Sequence, residues 1–134
     1  MEQVRALIRR VGGHVSSVNY RYLELAVEME RRKKLLQGGL ASQATKLYQA
    51  VSEQARIRTD RISRGVARAT TDMWEYGNVA ELERLTRRRF VEKPFPNELI
   101  LYLAAYLEEE KTVGRSRRDR RAGPVDSVRK RATP

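Results

Sequence analysis

A chain of 134 residues with 40% apolar side chains has room for one ordinary domain with a modest core. No run approaches the roughly 18 uncharged apolar residues of a membrane span, the opening MEQVRALIRRVGG is charged where a signal peptide needs an apolar stretch, and the absence of cysteine excludes disulfides, thiolate nucleophiles and cysteine zinc sites; a cytoplasmic protein without a membrane partner is expected. Lys+Arg 28 against Asp+Glu 17 gives a net charge of +11, which favours anionic partners, and the nine basic and two acidic residues after position 110 hold +7 of it, leaving +4 for residues 1 to 110.

Val4, Leu7, Ile8 and Val11, at spacings of three and four, predict a first amphipathic helix stopped by Gly12-Gly13, where left-handed dihedrals cost glycine nothing. A second helix is capped by Asn19 and runs through Tyr20, Leu23 and Val27 toward Leu36 and a stop at Gly38-Gly39, with the charged block from Glu28 to Lys34 mostly on its outer side. Ser42 as cap and the stripe Ala44, Leu47, Val51 and Ala55 predict a third helix. After a very short break, Thr59 suits an N-cap, Asp60 the positive end of the helix dipole, and Ile62, Val66, Ala69 and Met73 the inner stripe of a helix reaching Trp74 or Tyr76. Gly77-Asn78 supplies a stop and a fresh cap. Ala80 to Arg89 reads as a short helix with Leu82 and Leu85 inward and an arginine triplet at its C-terminal end. Pro94 and Pro96 make residues 90 to 97 an extended connector, and Leu99, Ile100, Leu103, Ala104 and Leu107 form a last helix closed by Glu108 to Glu110. The fold class is all-α, about six helices over residues 1–110. From position 111 to 134 the chain is rich in Arg, Gly, Ser and Pro and poor in large apolar residues, the composition of a disordered basic tail.

Two helices joined by so short a turn must cross, as in a helix-turn-helix. In that frame Leu47 to Ala55 supports, Arg56 to Thr59 turns, and Asp60 to Trp74 recognises. Val51, Ala55, Ile57, Ile62 and Val66 lock the pair together. The outward side then carries Arg58, Thr59, Asp60, Ser63, Arg64, Ala67, Arg68 and Thr71, a composition suited to reading duplex DNA. An arginine offers parallel donors to guanine O6 and N7, while serine and threonine donate to phosphates or base edges alike. Arg64 is the best base reader; Arg58 and Arg68 reach base or phosphate. Gly65 costs about 1 kcal/mol inside a helix, so close packing or a close DNA strand must need its small size.

YRYLELAV, LYQAVSEQARIRTDRISRGVARATTDMWEYGNVAEL and EKPFPNELILYLAAYL together resemble the C-terminal effector domain of the stage-zero sporulation protein A family of response regulators, over roughly residues 4 to 110. The resemblance rests on Tyr22-Leu23, Leu47-Tyr48, Trp74, Gly77-Asn78, Lys93-Pro94 and Glu98, in that order. It implies a six-helix domain that binds a promoter element in the major groove, often as a tandem pair. It also implies a homodimer on double-stranded DNA and contact with RNA polymerase. By position Arg64 matches a base-contacting arginine. Ser63 stands where the family has glutamate, Ala67 where it has a second arginine, and Arg68 where it has histidine. An acidic acceptor selects cytosine and serine does not do so firmly, so the family's usual target sequence is not carried over. No acidic cluster suits a phosphoryl acceptor, so control by phosphorylation is not carried over either.

His14, the single histidine, has no HExxH spacing and no cysteine partner, so it is read as a loop residue and no metal or other cofactor is expected. The glutamates lie on outer faces without a histidine neighbour, so no catalytic residue is expected. Tyr20, Tyr22, Tyr48, Tyr102 and Tyr106 read as packing residues, and Trp74 as a core anchor. Arg87, Arg88, Arg89 and Lys93, and in the tail Arg117, Arg118, Arg120 and Arg121, are candidate phosphate contacts or solvated charges. The leading expectation is a sequence-specific DNA-binding transcriptional regulator. The alternative is a helical protein-interaction module whose basic tail binds an acidic protein or RNA, and a remoter one is a partner that pairs with a full-length regulator and blocks it.

Overall fold

The structure is a computed structural model that describes residues 1–38 and 41–122, with the side chains of 38, 41–42 and 111–122 left aside. Six α-helices follow in order: α1 (Glu2–Val11), α2 (Val18–Lys33), a 3₁₀ turn at Leu35–Gly38, α3 (Ala41–Ala55), α4 (Thr59–Tyr76), α5 (Val79–Thr86) and α6 (Pro96–Ala122). There is no strand among the described residues, so the all-α class holds. α6 runs on to Ala122, past its expected close at Glu108 to Glu110; the side chains of 111–122 and all of residues 123–134, where the rest of the expected basic tail falls, lie outside the described residues.

One core joins the six helices. Val4, Leu7, Ile8 and Val11 of α1 are buried with Leu23 and Val27 of α2, Leu47 and Val51 of α3, Ile62, Val66, Ala69 and Met73 of α4, Leu82 of α5, and Leu99, Ile100 and Leu103 of α6. Each set repeats at three and four residues, the periodicity that gives a helix one apolar side. The central strut is α2, packed against α4, α6, α3 and α1, which is why its buried residues Tyr20, Tyr22, Leu23, Ala26, Val27, Met29 and Glu30 cover about half of its circumference.

Several boundaries differ from the sequence expectations. The cap of α2 is Ser17, whose hydroxyl accepts from the Asn19 N–H, and not Asn19. Its end is Lys34, in the left-handed region at φ 53, with its N–H on the Glu30 carbonyl, four residues before the expected glycine stop. Within the charged block, Glu30 is 1% exposed: its Oε1 accepts from the Leu36 N–H at 2.9 Å and ties the 3₁₀ turn back to α2. Burial pushes this carboxyl up, and the Leu36 and Leu35 N–H groups partly oppose the rise. Ser42 falls inside α3, not before it, and α5 stops at Thr86, so the arginine triplet begins at the left-handed cap Arg87 and lies beyond the helix. Asn78 does cap α5, accepting from the Glu81 N–H at 3.0 Å.

Gly12 and Gly77 end α1 and α4 in extended, not left-handed, backbone. At Gly77 the requirement is close approach: a Cβ there would stand 2.6 Å from the Met73 carbonyl oxygen and closer still to that of Val11. The Val11 carbonyl instead accepts from the Asn78 N–H at 2.9 Å, joining the end of α1 to the α4–α5 junction. Trp74 is only half-buried and stands outside the core. It falls three residues after Thr71 and seven after Ala67, on the outer side of α4, while Thr70 and Met73 take the inner positions.

Candidate nucleic-acid interface

The turn that delivers α4 is built by Ser52. Its carbonyl accepts from the N–H groups of Arg56 (2.8 Å) and Ile57 (3.4 Å), and its hydroxyl donates to the Ile57 carbonyl. Arg56 takes the left-handed conformation at φ 59, so α3 ends on a left-handed residue in the place usually taken by glycine. Ile57 drops onto the core and Arg58 becomes the N-cap of α4. Thr59, expected as the cap, is the first helical residue; Arg58 has no capping side chain, and its carbonyl accepts from the N–H groups of Arg61 (3.1 Å) and Ile62 (3.2 Å).

Against this frame α4 presents its buried side, Ile62, Gly65, Val66, Ala69, Thr70 and Met73, to the core. The residues named from sequence fall on the opposite side, one helical turn after another. Arg58, Asp60, Arg64, Ala67 and Arg68 are exposed; Thr59, Ser63 and Thr71 are half-buried; none is covered. Gly65 faces the other way, against the ring of Tyr22, so its small size serves helix packing and not a DNA strand. Asp60 joins two members of the face, accepting from Arg58 Nε at 3.3 Å and from an Arg64 terminal nitrogen at 3.2 Å. Arg61, also exposed and two turns before Arg68, borders the same face. It escaped the sequence reading although the seven-residue spacing of two arginines was there to find.

The candidate phosphate contacts divide. Lys93 is exposed and its Nζ donates to Thr71 Oγ1 at 2.9 Å, which seats the α5–α6 loop beside the C-terminal half of the face. Arg88, Arg89 and Lys93 line one shallow hollow around that loop. Arg88 is stacked over the Tyr102 ring at 4.7 Å, whereas Arg87 turns away to Glu109 at 3.8 Å. Arg89 is exposed with no ion pair among the described residues. Arg117, Arg118, Arg120 and Arg121 have side chains outside the described residues.

Of the tyrosines, Tyr20, Tyr22 and Tyr48 are buried and Tyr102 and Tyr106 half-buried. His14 lies in the α1–α2 loop, with Nδ1 2.7 Å from Asp72 Oδ1 on α4. Tyr20 donates to the other Asp72 oxygen at 2.7 Å. Among the described residues no group of three or more His, Asp or Glu is placed to hold a metal ion, and no helix is long and apolar enough to cross a membrane.

No curated protein is found that matches the chain. Residues 4–107 match the family described as "Sporulation initiation factor Spo0A C terminal", a family of DNA-binding effector domains and not of enzymes. Among the described residues the match runs from the first buried residue of α1 to Leu107, the last buried one of α6, and so takes in the core they form and the α4 face. The chain belongs to the Spo0A C-terminal family of DNA-binding regulatory domains.

Proposed function

We propose that the protein is a sequence-specific transcriptional regulator that lays α4 in the major groove of double-stranded DNA. Arg64 reads a guanine, Arg58 and Arg68 take further base or phosphate contacts, and Thr59, Ser63 and Thr71 donate to phosphates or base edges. Lys93, Arg89 and the tail arginines add sequence-independent phosphate contacts. Two copies on adjacent half-sites and contact with RNA polymerase belong to the same proposal. The observation that carries it is the uncovered face of α4, with Arg58, Arg64 and Arg68 all solvent-facing inside a domain matched to a DNA-binding family.

Selection of bound duplexes from a random pool tests the reading. A defined motif should be enriched, lost with Arg64→Ala, and merely bound more weakly when residues 112 to 134 are removed. Binding of every duplex alike, abolished by removing that segment, would instead make the protein a basic interaction module. Because Ser63 and Ala67 depart from the family pattern, the recovered motif should differ from the family's own at the base pairs those positions face.

A further inference from the structure

Asp60 is the only acidic residue in the first two turns of α4, and it stands between two of the arginines assigned to DNA. Its two oxygens are divided: Oδ1 accepts from Arg58 Nε and Oδ2 from Arg64. The Arg58 side chain is 86% exposed, Arg64 65% and Asp60 55%, and pairs this open to water contribute little to folding stability. Their effect is on where two long cations point. Arg64 uses one terminal nitrogen on Asp60, which leaves donors of its planar fork for a guanine edge. Holding that rotamer before DNA arrives removes part of the ordering cost at the moment of binding.

The same carboxylate opposes indiscriminate binding. It is repelled by any phosphate that comes near, and it withholds Arg58 and Arg64 from phosphates they would otherwise neutralise. Slight desolvation pushes the Asp60 carboxyl up, but the Arg58 and Arg64 charges outweigh it and hold the group below its ordinary value, so it is ionised at neutral pH.

We propose that Asp60 is a positioning residue that sets specificity, aiming Arg64 at its guanine and lowering affinity for non-cognate duplex. This rests on the DNA-reading role proposed for α4. It gives the acidic residue of an otherwise basic face a task that phosphate attraction cannot explain.

The test uses the full chain and its Asp60→Ala, Asp60→Asn and Asp60→Glu variants. Fluorescence anisotropy is read on the selected duplex, on the same duplex with the Arg64 guanine replaced, and on a scrambled one, at several salt concentrations. Asp60→Ala should bind scrambled DNA about three- to ten-fold more tightly, with a salt dependence steeper by about one phosphate contact. Its preference for the guanine should fall about ten-fold. Asp60→Asn should move the same way and Asp60→Glu should restore most of the preference. Circular dichroism confirms the fold; if Asp60→Ala melts early, Asp60→Asn, which keeps an oxygen in place, carries the comparison. An unchanged guanine preference and salt slope in a folded Asp60→Ala would overturn the proposal, as would lost preference at a different base pair, which would mean that Asp60 reads a base itself. If the wild-type chain enriches no motif, the reading of α4 falls and this inference with it; a motif enriched equally by wild type and Asp60→Ala sinks this inference alone.

Discussion

Gly65 sits where α4 lies against α2, and a Cβ added there would be within 3.0 Å of three atoms of the Tyr22 ring. Tyr22 is 8% exposed, so the ring has little room to yield. Alanine gains about 1 kcal/mol of helix propensity over glycine, but overpacking a filled core costs about 1 to 3 kcal/mol. Gly65→Ala is therefore expected to be destabilising by up to about 2 kcal/mol, seen as a lower melting temperature in thermal denaturation. Pairing it with Tyr22→Leu should recover part of the loss, whereas a melting temperature raised by the single substitution would contradict the packing reason. That Gly65 needs its small size was legible in the sequence, because a glycine inside a strong helical stripe has to be compensated. Its partner was not, since nothing in the spacing of residues joins positions 22 and 65. Glu30 illustrates the converse: it sits in a run of charged residues that reads as a solvated side, and the backbone N–H groups of Leu36 and Leu35 beyond the helix end are what meet its carboxyl inside. Asp60 combines both cases. Its place on the outer face follows from helical periodicity, but its bonds to Arg58 and Arg64 depend on rotamers that a sequence does not carry.

At the scale of elements, the inner stripes were legible throughout, because burial on one side imposes a period of 3.6 whatever the neighbours are. Ends were less so. Lys34, Arg56 and Arg87 all turn left-handed, the first of them four residues before the glycine pair expected to end α2, and each is held by a bond back to the preceding helical turn. The α1–α2 loop shows what such local rules omit. Asp72 of α4 accepts from the His14 N–H at 2.7 Å and from the Tyr20 hydroxyl at 2.7 Å, and its Oδ1 lies 2.7 Å from His14 Nδ1, so one carboxylate pins a loop nearly sixty positions away. Desolvation pushes the Asp72 carboxyl up, but the bonds from His14 and Tyr20 outweigh it and hold it below its ordinary value of 3.8. A depressed carboxyl stabilises the folded state fully above that ordinary value and loses the contribution as the pH falls through it toward the folded-state value. Asp72→Asn should thus cost about 1 to 2 kcal/mol at neutral pH, the scale of one charge-assisted hydrogen bond. Stability measured against pH should decline less steeply in acid for the variant than for the wild type. Because Asp72 is not among the residues assigned to DNA, the folded variant should keep the wild-type motif. An acid decline identical to that of the wild type would remove Asp72 from the account.

For the whole molecule, the arrangement of charge separates two tasks. Residues 1 to 110 carry only +4 of the net +11, and much of their cationic surface is already engaged: Arg10 and Arg84 share Glu81 at 2.6 and 2.8 Å, Arg5 holds Glu24, and Arg87 holds Glu109. The bonds from Arg84 and Arg10 bring the Glu81 carboxyl down to about 2, so this cluster stays paired across the physiological range and ties α1 to α5 rather than attracting DNA. The domain then has a small surplus spread over several stretches, α4 itself being neutral with three arginines against Asp60, Asp72 and Glu75, and the segment after 110 has a large one, which fits the proposed division between reading sequence with the α4 face and binding phosphate with the tail. Each neutralised phosphate steepens the fall of log affinity with log salt by about 0.9. Replacing Arg117, Arg118, Arg120 and Arg121 together by glutamine in the full chain should therefore flatten the salt dependence by about 0.9 for every one of the four that touches a phosphate, weaken binding to cognate and scrambled duplexes in equal proportion, and leave the ratio between them as it was. Anisotropy titrations on both duplexes across a salt series measure the slope and the ratio together. An unaltered slope would show that these arginines are solvated bystanders; a ratio that falls with the slope would place base reading in the tail and take it away from α4.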